Sequence, residues 1–358
     1  MASACAGVAS PEGWASPVLS DGLVLAAHRD QLFALEVGSL DPQWAFPSDE
    51  ADEDVVALYG DPAVLGDTVF VPGFDGALYA LDAASGELRW EPFETDGPLI
   101  GGVAVSLDTV YFGSSDGKVY ALDAASGQPR WDEPFATGDE VWSTPTLAGD
   151  TLYVTSLDGR LYALDAATGA ERWSFSTDAG VASPAVVDEE AGLVYVGGFD
   201  SRLRAIDPET REEQWSVKAD NWFWTRPLVA DGTVYAGSLD GNIYAVDAAT
   251  GDPAWPEPFP AEAPVRAALV IVGGVLIAID KDGNVYGIDP SDGSPAFDAP
   301  LALESEVLAD PLVITGAESE PNGASASQDV LVVTADGELV QIDASTLQES
   351  GRLNLTGD

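Results

Sequence analysis

The sequence predicts an all-β protein: a single eight-bladed β-propeller of four-stranded antiparallel blades with tryptophan-docking motifs. Three observations carry that expectation. A short unit, "LYALDAATGAERW" at residues 161–173, returns along the chain and ends on Trp90, Trp131, Trp173, Trp215 and Trp255, with weaker copies ending on Trp44, Phe297 and Gly351. A period near 40 residues is the signature of a propeller, array or solenoid rather than of two or three unrelated domains. Between copies the chain alternates apolar and polar residues in short runs broken by Gly-containing turns, and no helical periodicity of useful length appears.

Residues 141–176 show how one repeat becomes one blade. "STPTLA" is a short inner strand, stopped by Gly149-Asp150. "TLYVTS" alternates and is rich in β-branched and aromatic residues, and "LDG" is a hairpin turn signal. "RLYALD" alternates again, "AATG" is a turn in which Gly169 tolerates a positive φ, and "ERWSFS" is the fourth strand. The hairpin turn recurs as Asp75-Gly76, Asp116-Gly117, Asp158-Gly159, Asp240-Gly241, Asp282-Gly283 and Asp336-Gly337. The aspartate that ends the third strand (Asp82, Asp123, Asp165, Asp207, Asp247, Asp289, Asp343) is placed to accept backbone N–H groups of the turn that follows. These carboxylates therefore read as structural, not catalytic.

A lone four-stranded blade has two apolar faces and cannot bury both; packing blades around an axis buries both and leaves short protected edges. The terminal Trp, once per blade, is a large flat side chain for docking on the neighbour, and the Gly four residues before it (Gly86, Gly127, Gly169, Gly251) is expected to keep the incoming turn tight. The blades fall at residues 13–46, 59–92, 100–134, 142–177, 181–217, 224–257, 265–299 and 308–356, so that 13–358 form the propeller and 1–12 a tail. Blade 8 carries a polar insertion at 316–329 and lacks the Trp, and is expected to make the weakest seam. Residues 47–54 form an acidic linker.

The chain has 61 acidic and 14 basic residues, a formal net charge of -47. Such a surface repels phosphate backbones and anionic lipid head groups, so no nucleic-acid partner is expected. It suits solubility in a saline setting, or attraction of cations or a basic partner. The single cysteine, Cys5, excludes an intrachain disulfide and lies in "MASACAG". Small residues before a cysteine are similar to the end of a bacterial lipoprotein signal, so Cys5 is a candidate lipidation site, with Met1 then standing after a removed leader.

"Ala-x-Asp-x-x-x-Gly-x-x-x-Trp", repeated around the chain, resembles the docking motif of PQQ-repeat propellers. That family includes the eight-bladed quinoprotein alcohol dehydrogenases and the outer-membrane assembly lipoprotein BamB. The resemblance covers about residues 13–356 and is specific for fold, much less so for function. Its dehydrogenase members hold PQQ between a Trp and a disulfide of adjacent cysteines, beside a calcium ion. Cys5 stands alone and most repeats are minimal, so the resemblance carries over no cofactor residues, and no cofactor and no metal are expected.

Other chemistries find no constellation. The one histidine, His28, reads as an exposed turn residue in the blade 1 hairpin, and one His without further Cys excludes the common zinc sites. No nucleophile elbow and no phosphate loop leading into a helix occur.

A repeat protein shows its function where it departs from its own consensus. Counted three residues before the inner-strand proline, one position reads Trp14, Tyr59, Ile100, Trp142, Val181, Trp224, then Val265 or Arg266, then Leu308. These residues should ring one mouth of the central channel. The strongest departure is "KADNWFWTRP" (218–227), where Trp222, Phe223, Trp224 and Arg226 crowd together, with one or two rings expected at the surface. Arg226 and Arg266 are expected to pair with Asp61 or Asp310. The candidate binding residues are thus Trp222, Phe223, Trp224, Arg226, Trp14, Tyr59, Trp142 and Arg266. The expected function is that of a non-enzymatic extracytoplasmic scaffold, monomeric, membrane-anchored at most through Cys5, binding a protein of the cell envelope. A PQQ-dependent dehydrogenase and a glycan or small-ligand sensor are the alternatives.

Overall fold

In the computed structural model the chain is described over residues 13–48, 55–315 and 328–356. Cys5, most of the acidic linker and most of the blade 8 insertion lie outside the described residues. Among the described residues thirty-two strands form eight four-stranded antiparallel sheets, each taking its strands in chain order, first, second, third, fourth. Among the described residues there is no helix.

Blade 4 is the fullest copy. Its strands are Thr146–Ala148, Thr151–Ser156, Arg160–Asp165 and Glu171–Ser176. The first strands of blades 1 to 6 touch one another in succession and so line the axis. The second and third are buried on both faces, which is why they carry Val, Leu, Tyr and Ala at successive positions rather than strict alternation. The fourth strand differs between blades. In blades 2, 3, 6 and 7 it shrinks to two residues, Phe93–Glu94, Phe135–Ala136, Phe259–Pro260 and Leu301–Ala302. There the sequence inserts residues including a proline after the docking position, as in "WDEPF" and "WPEPF". Proline donates no ladder hydrogen bond, so the strand is interrupted.

Each turn after the third strand closes as its sequence indicates. Asp82, Asp123, Asp165, Asp207, Asp247, Asp289 and Asp343 all accept backbone N–H groups two or three residues ahead. At the other end of the sheet, the hairpin aspartates accept the Tyr hydroxyl of the third strand in Asp75–Tyr79, Asp116–Tyr120, Asp158–Tyr162 and Asp240–Tyr244. In blade 5 a buried Arg204 replaces that Tyr and pairs with Asp200 and Glu213.

Eight apolar clusters fill the eight interfaces between neighbouring blades, each mixing residues of two blades. The docking glycine serves the preceding blade, which corrects the expectation that it merely tightens its own turn. A Cβ on Gly169 would lie 2.6 Å from the Trp131 ring, and one on Gly86 2.6 Å from the Trp44 ring. The positive φ is needed, and so is the bare face. The indole N–H groups of Trp44, Trp90, Trp131, Trp215 and Trp255 donate to carbonyl oxygens of the next blade, at Ala83, Ala124, Ala166, Ala248 and Pro290.

His28 is the second correction. It is 7% exposed and ends the second strand of blade 1, where sister blades carry the buried Ser114, Ser156, Ser238 and Thr334. It lies one residue before the turn, on the inward side. Its ring fills the space a Cβ on Gly337 of blade 8 would need, 2.9 Å away. Burial, then the neighbouring Arg29 charge, holds the imidazole pKa below its usual value.

Candidate functional site at the mouth of the axial channel

The segment that enters each inner strand is extended, so successive side chains alternate between the interface core and the axis. In blade 6 this splits "WFWTRP" cleanly. Phe223 is 1% exposed and belongs to the core between blades 5 and 6, packed on Tyr244 at 5.4 Å. As a candidate binding residue Phe223 is therefore withdrawn. Trp222, Trp224 and Arg226 project the other way, and Trp222 is 40% exposed.

The same alternation fixes the register elsewhere. A cavity at the axis is lined by Trp14, Tyr59, Ile100, Trp142, Ala182, Trp224, Arg266 and Leu308, one residue per blade. Val181 is corrected to Ala182, and blade 7 contributes Arg266; Val181 and Val265 are fully buried core residues. The count slipped because Pro184 comes one residue earlier in its blade than Pro145 or Pro227 does.

The rings form one continuous path. Phe74 lies 4.9 Å from Tyr59, which lies 4.2 Å from Trp14. The Arg266 guanidinium sits between two indoles, 4.2 Å from the Trp14 ring centre and 4.8 Å from that of Trp224. Trp224 continues to Trp142 at 6.3 Å and to Phe199 at 5.1 Å, and Phe199 stacks on Trp222 at 4.5 Å. Each cation–π contact contributes about 0.5–2 kcal/mol, more as water is excluded, so two of them hold the Arg266 fork in one plane. The Trp142 indole is fixed by donating to Glu140 at 2.6 Å. Tyr59 is mostly buried and acts as a buttress behind Trp14.

Phe74 and Phe199 were missed by sequence reasoning. Their signal was present: "GFDG" and "GFDS" stand where sister hairpins read "SLDG" or "SSDG".

Two residues further along each blade, hydrogen bonds join some of the neighbouring blades at the axis. The Ala268 N–H donates to the Asp310 carboxylate at 2.6 Å, the Asp310 N–H to Ser16 Oγ at 2.9 Å, and the Ser16 N–H to the Asp61 carboxylate at 2.7 Å. Between blades 3 and 4, the Gly102 N–H donates to Thr144 Oγ1 at 2.9 Å. The first three bonds run consecutively through blades 7, 8, 1 and 2, so they span the joint between the ends of the chain. Asp61 and Asp310 thus bind backbone first. Arg226 makes no ion pair with either carboxylate. Its charge and that of Arg266 nonetheless act on Asp310. Burial, and then the Asp61 charge, raise the Asp310 pKa to about 6.

The mouth cavity has a volume of about 130 Å³. Arg226 also borders a second, larger cavity of about 600 Å³ lined by the inner strands of blades 4–7, including Leu147, Val186, Leu228 and Val270. Outside the mouth, the loops are acidic: Asp96, Asp139, Glu140, Asp178, Asp220 and Glu262 all belong to the segments joining one blade to the next. The face is thus graded, anionic at the rim, aromatic inside it, and at the centre holding two arginines with two carboxylates. Among the described residues no group of His, Cys, Asp and Glu is arranged to hold a metal ion.

Comparison with known proteins gives one family. The family described as outer membrane protein assembly factor BamB matches residues 6–142, 93–189, 134–220 and 185–350, which together span nearly the whole chain. Among solved structures, BamB from Moraxella catarrhalis superposes with a TM-score of 0.72 at 19% identity, over 91% of this chain and 92% of that one. The computationally designed Ika8 protein gives 0.73 at 16% identity, covering 91% and 95%. A quinohemoprotein alcohol dehydrogenase from Pseudomonas putida gives 0.72 at 15% identity, covering 91% of this chain and 70% of that chain. At these identities the likeness is one of fold. The serine/threonine-protein kinase AfsK of Streptomyces griseus is 35% identical over 71 residues, 20% of this chain and only 9% of the kinase.

Proposed function

Because the chain belongs to the family of the outer membrane protein assembly factor BamB, we propose that it is a non-enzymatic, envelope-associated scaffold that docks a protein partner on the aromatic mouth. The observation that carries this reading is the continuous path of aromatic and cation–π contacts from Phe74 to Trp222, which leaves Trp222 partly at the surface of an otherwise acidic face. Isolated exposed rings need no explanation; a chain of them, anchored at one end and open at the other, fits the pattern of an interface hot spot. Extracytoplasmic location and lipid attachment at Cys5 belong to the same proposal.

The test separates docking from packing. Trp222→Ala should change stability by no more than about 0.5 kcal/mol, as expected for an exposed side chain, and should lose the partner in pull-downs from the native envelope fraction. Retention of the same partner by the variant would refute the docking face. For the enzymatic alternative, the protein is incubated with PQQ and Ca²⁺ and dye reduction is followed over a panel of alcohols and sugars. Turnover would refute the scaffold reading.

A further inference from the structure

The centre of the mouth has a chemistry that docking alone does not require. Arg226 is exposed within the axial channel, and among the described residues no hydrogen bond or ion pair engages its guanidinium. The arginines at the outer ends of blades 2, 3 and 4 are all saturated: Arg89, Arg130 and Arg172 each hold two aspartates. In a chain with net charge -47, acidic partners for Arg226 were abundant, and the two carboxylates that share its cavity are bonded to backbone N–H groups. The guanidinium therefore faces an open space walled by indoles, with its planar donors available.

We propose that the axial mouth is a receptor for a carboxylate carried on an apolar group, Arg226 donating to the carboxylate oxygens while the Trp14, Trp142 and Trp224 rings cover the apolar part. This rests on the reading of the mouth as the docking face and adds what that face recognises. A cavity of about 130 Å³ admits the end of an extended chain or one planar acid, not a folded element. A carboxylate on an arginine fork is a bidentate, charge-assisted contact, and the guanidinium of Arg266, held between its two indoles, adds a second positive charge at the same spot. The acidic rim selects against free polyanions, and favours a chain whose residues before the carboxylate are basic.

The charges in the cavity give the proposal a pH signature. Four groups face one another: Asp61, Asp310, Arg226 and Arg266. They sum to zero with both carboxyls ionised and to +1 once Asp310 is protonated. A ligand carboxylate, which stays ionised at pH 5.5, should therefore bind more tightly there than at pH 7.5.

The experiment uses the full chain and three probes, followed by calorimetry and tryptophan fluorescence. They are a lysine-containing pentapeptide ending in Phe with a free carboxylate, the same peptide as its C-terminal amide, and phenylacetate. The expected result is binding of the acid peptide, about tenfold or more weaker binding of the amide, and tighter binding at pH 5.5. Arg226→Gln should lose the preference for acid over amide and Arg226→Lys should keep part of it, both with unchanged melting temperature. Phenylacetate binding as well as the acid peptide supports the site and identifies its ligand as a free small acid; weaker binding identifies a chain terminus. Equal affinity for acid and amide, no binding of any probe, or an acid preference that survives in Arg226→Gln would overturn the proposal. Loss of the envelope partner from Trp222→Ala but not from Arg226→Gln, together with no acid preference, would reject the carboxylate receptor and leave the docking face standing.

Discussion

Two interfaces of the ring use opposite arrangements to fill the same place. Between blades 3 and 4, Trp131 projects from the earlier blade, donates to the Ala166 carbonyl at 3.0 Å and lies flat on Gly169, whose φ is +73°. Between blades 8 and 1, the earlier blade has Gly351 at the Trp position and the later blade has Leu40, at φ +57°, at the glycine position. Leu40 is buried in a cluster with Leu331, Val333, Leu339 and Leu355 of blade 8. The large residue and the bare one have changed sides. Blade 4/5 and blade 7/8 are intermediate cases, with Trp173 meeting a blade whose glycine position is Arg211, at φ +64°, and Phe297 sharing a cluster with Leu347, at φ +51°. The lesson is that the interface conserves filled volume, not the identity of the residue that fills it. The seam that the missing Trp marked as weakest has its own apolar filling and three axial hydrogen bonds beside it.

The largest effect should come from Trp131→Ala, which removes a buried indole and its hydrogen bond. A loss of about 3–5 kcal/mol is expected in urea unfolding. A loss under about 1 kcal/mol would mean that the blades are held by their strands rather than by docking. Next comes Leu40. Leu40→Ala should cost about 2–4 kcal/mol, while Leu40→Gly should cost less by about 0.5–1 kcal/mol, because glycine relieves the left-handed backbone. The reverse order would show that Leu40 is not strained in place. Combining Leu40→Gly with Gly351→Trp rebuilds the ordinary docking pair. The double variant should be more stable than the sum of its single changes predicts, by a coupling of about 0.5–3 kcal/mol.

His28 gives the seam a pH dependence that the blade 3/4 interface lacks. Its folded pKa lies below 6.5, burial being the main cause, with Arg29 acting the same way and Asp30 and Asp336 opposing. Between that lowered value and 6.5 the unfolded chain binds the proton more readily, so stability is lost as pH falls through this window. His28→Ser, the residue of sister blades, should flatten this part of the melting profile between pH 7.5 and 5.5. Asp310 works in the opposite sense: its raised pKa makes stability rise as pH falls from about 6 toward 4. The difference between wild type and the His28 variant isolates the seam, and an unchanged profile would remove His28 from it. The smallest effect on the comparison should be that of salt. Raising NaCl from 0.1 to 1 M shortens the Debye length from ~10 to ~3 Å and should raise the melting temperature of every variant alike. A salt response confined to Leu40→Ala would mean that charge, not volume, distinguishes the seam.

Most of the fold was legible because the repeat writes each blade out in full. Turn aspartates, hairpin glycines and docking tryptophans lie within one contiguous segment, so their roles are set by local hydrogen bonds. What escaped the sequence was whatever one blade does to another. Gly169 looked like a turn residue until the Trp131 ring was found on it. His28 looked exposed because a strand end and a turn differ by one residue, and only Gly337 of blade 8 reveals which it is. At the mouth, the period-2 pattern distinguishes Phe223 from its two neighbours only when the register is known, and a proline displaced by one position was enough to misplace Val181. Arg226 was expected to seek a carboxylate. Among the described residues none pairs with it; the carboxylates that share its cavity accept backbone donors at the axis, which are invisible in sequence.

The contiguity of each sheet also orders events during synthesis. Blades 2 to 8 each emerge beside a finished predecessor and can dock at once, in five of the seven cases Trp upon glycine. Blade 1 cannot: its flank of Val24, Ala26, Leu35 and Leu40 waits for Leu331, Val333 and Leu339, some three hundred residues downstream. At roughly 5–20 residues per second the nascent protein is an open crescent for about 15–60 s, with one greasy end and one growing end. Leu40, placed on the waiting side, is a knob kept ready on the oldest blade for a socket that is translated last.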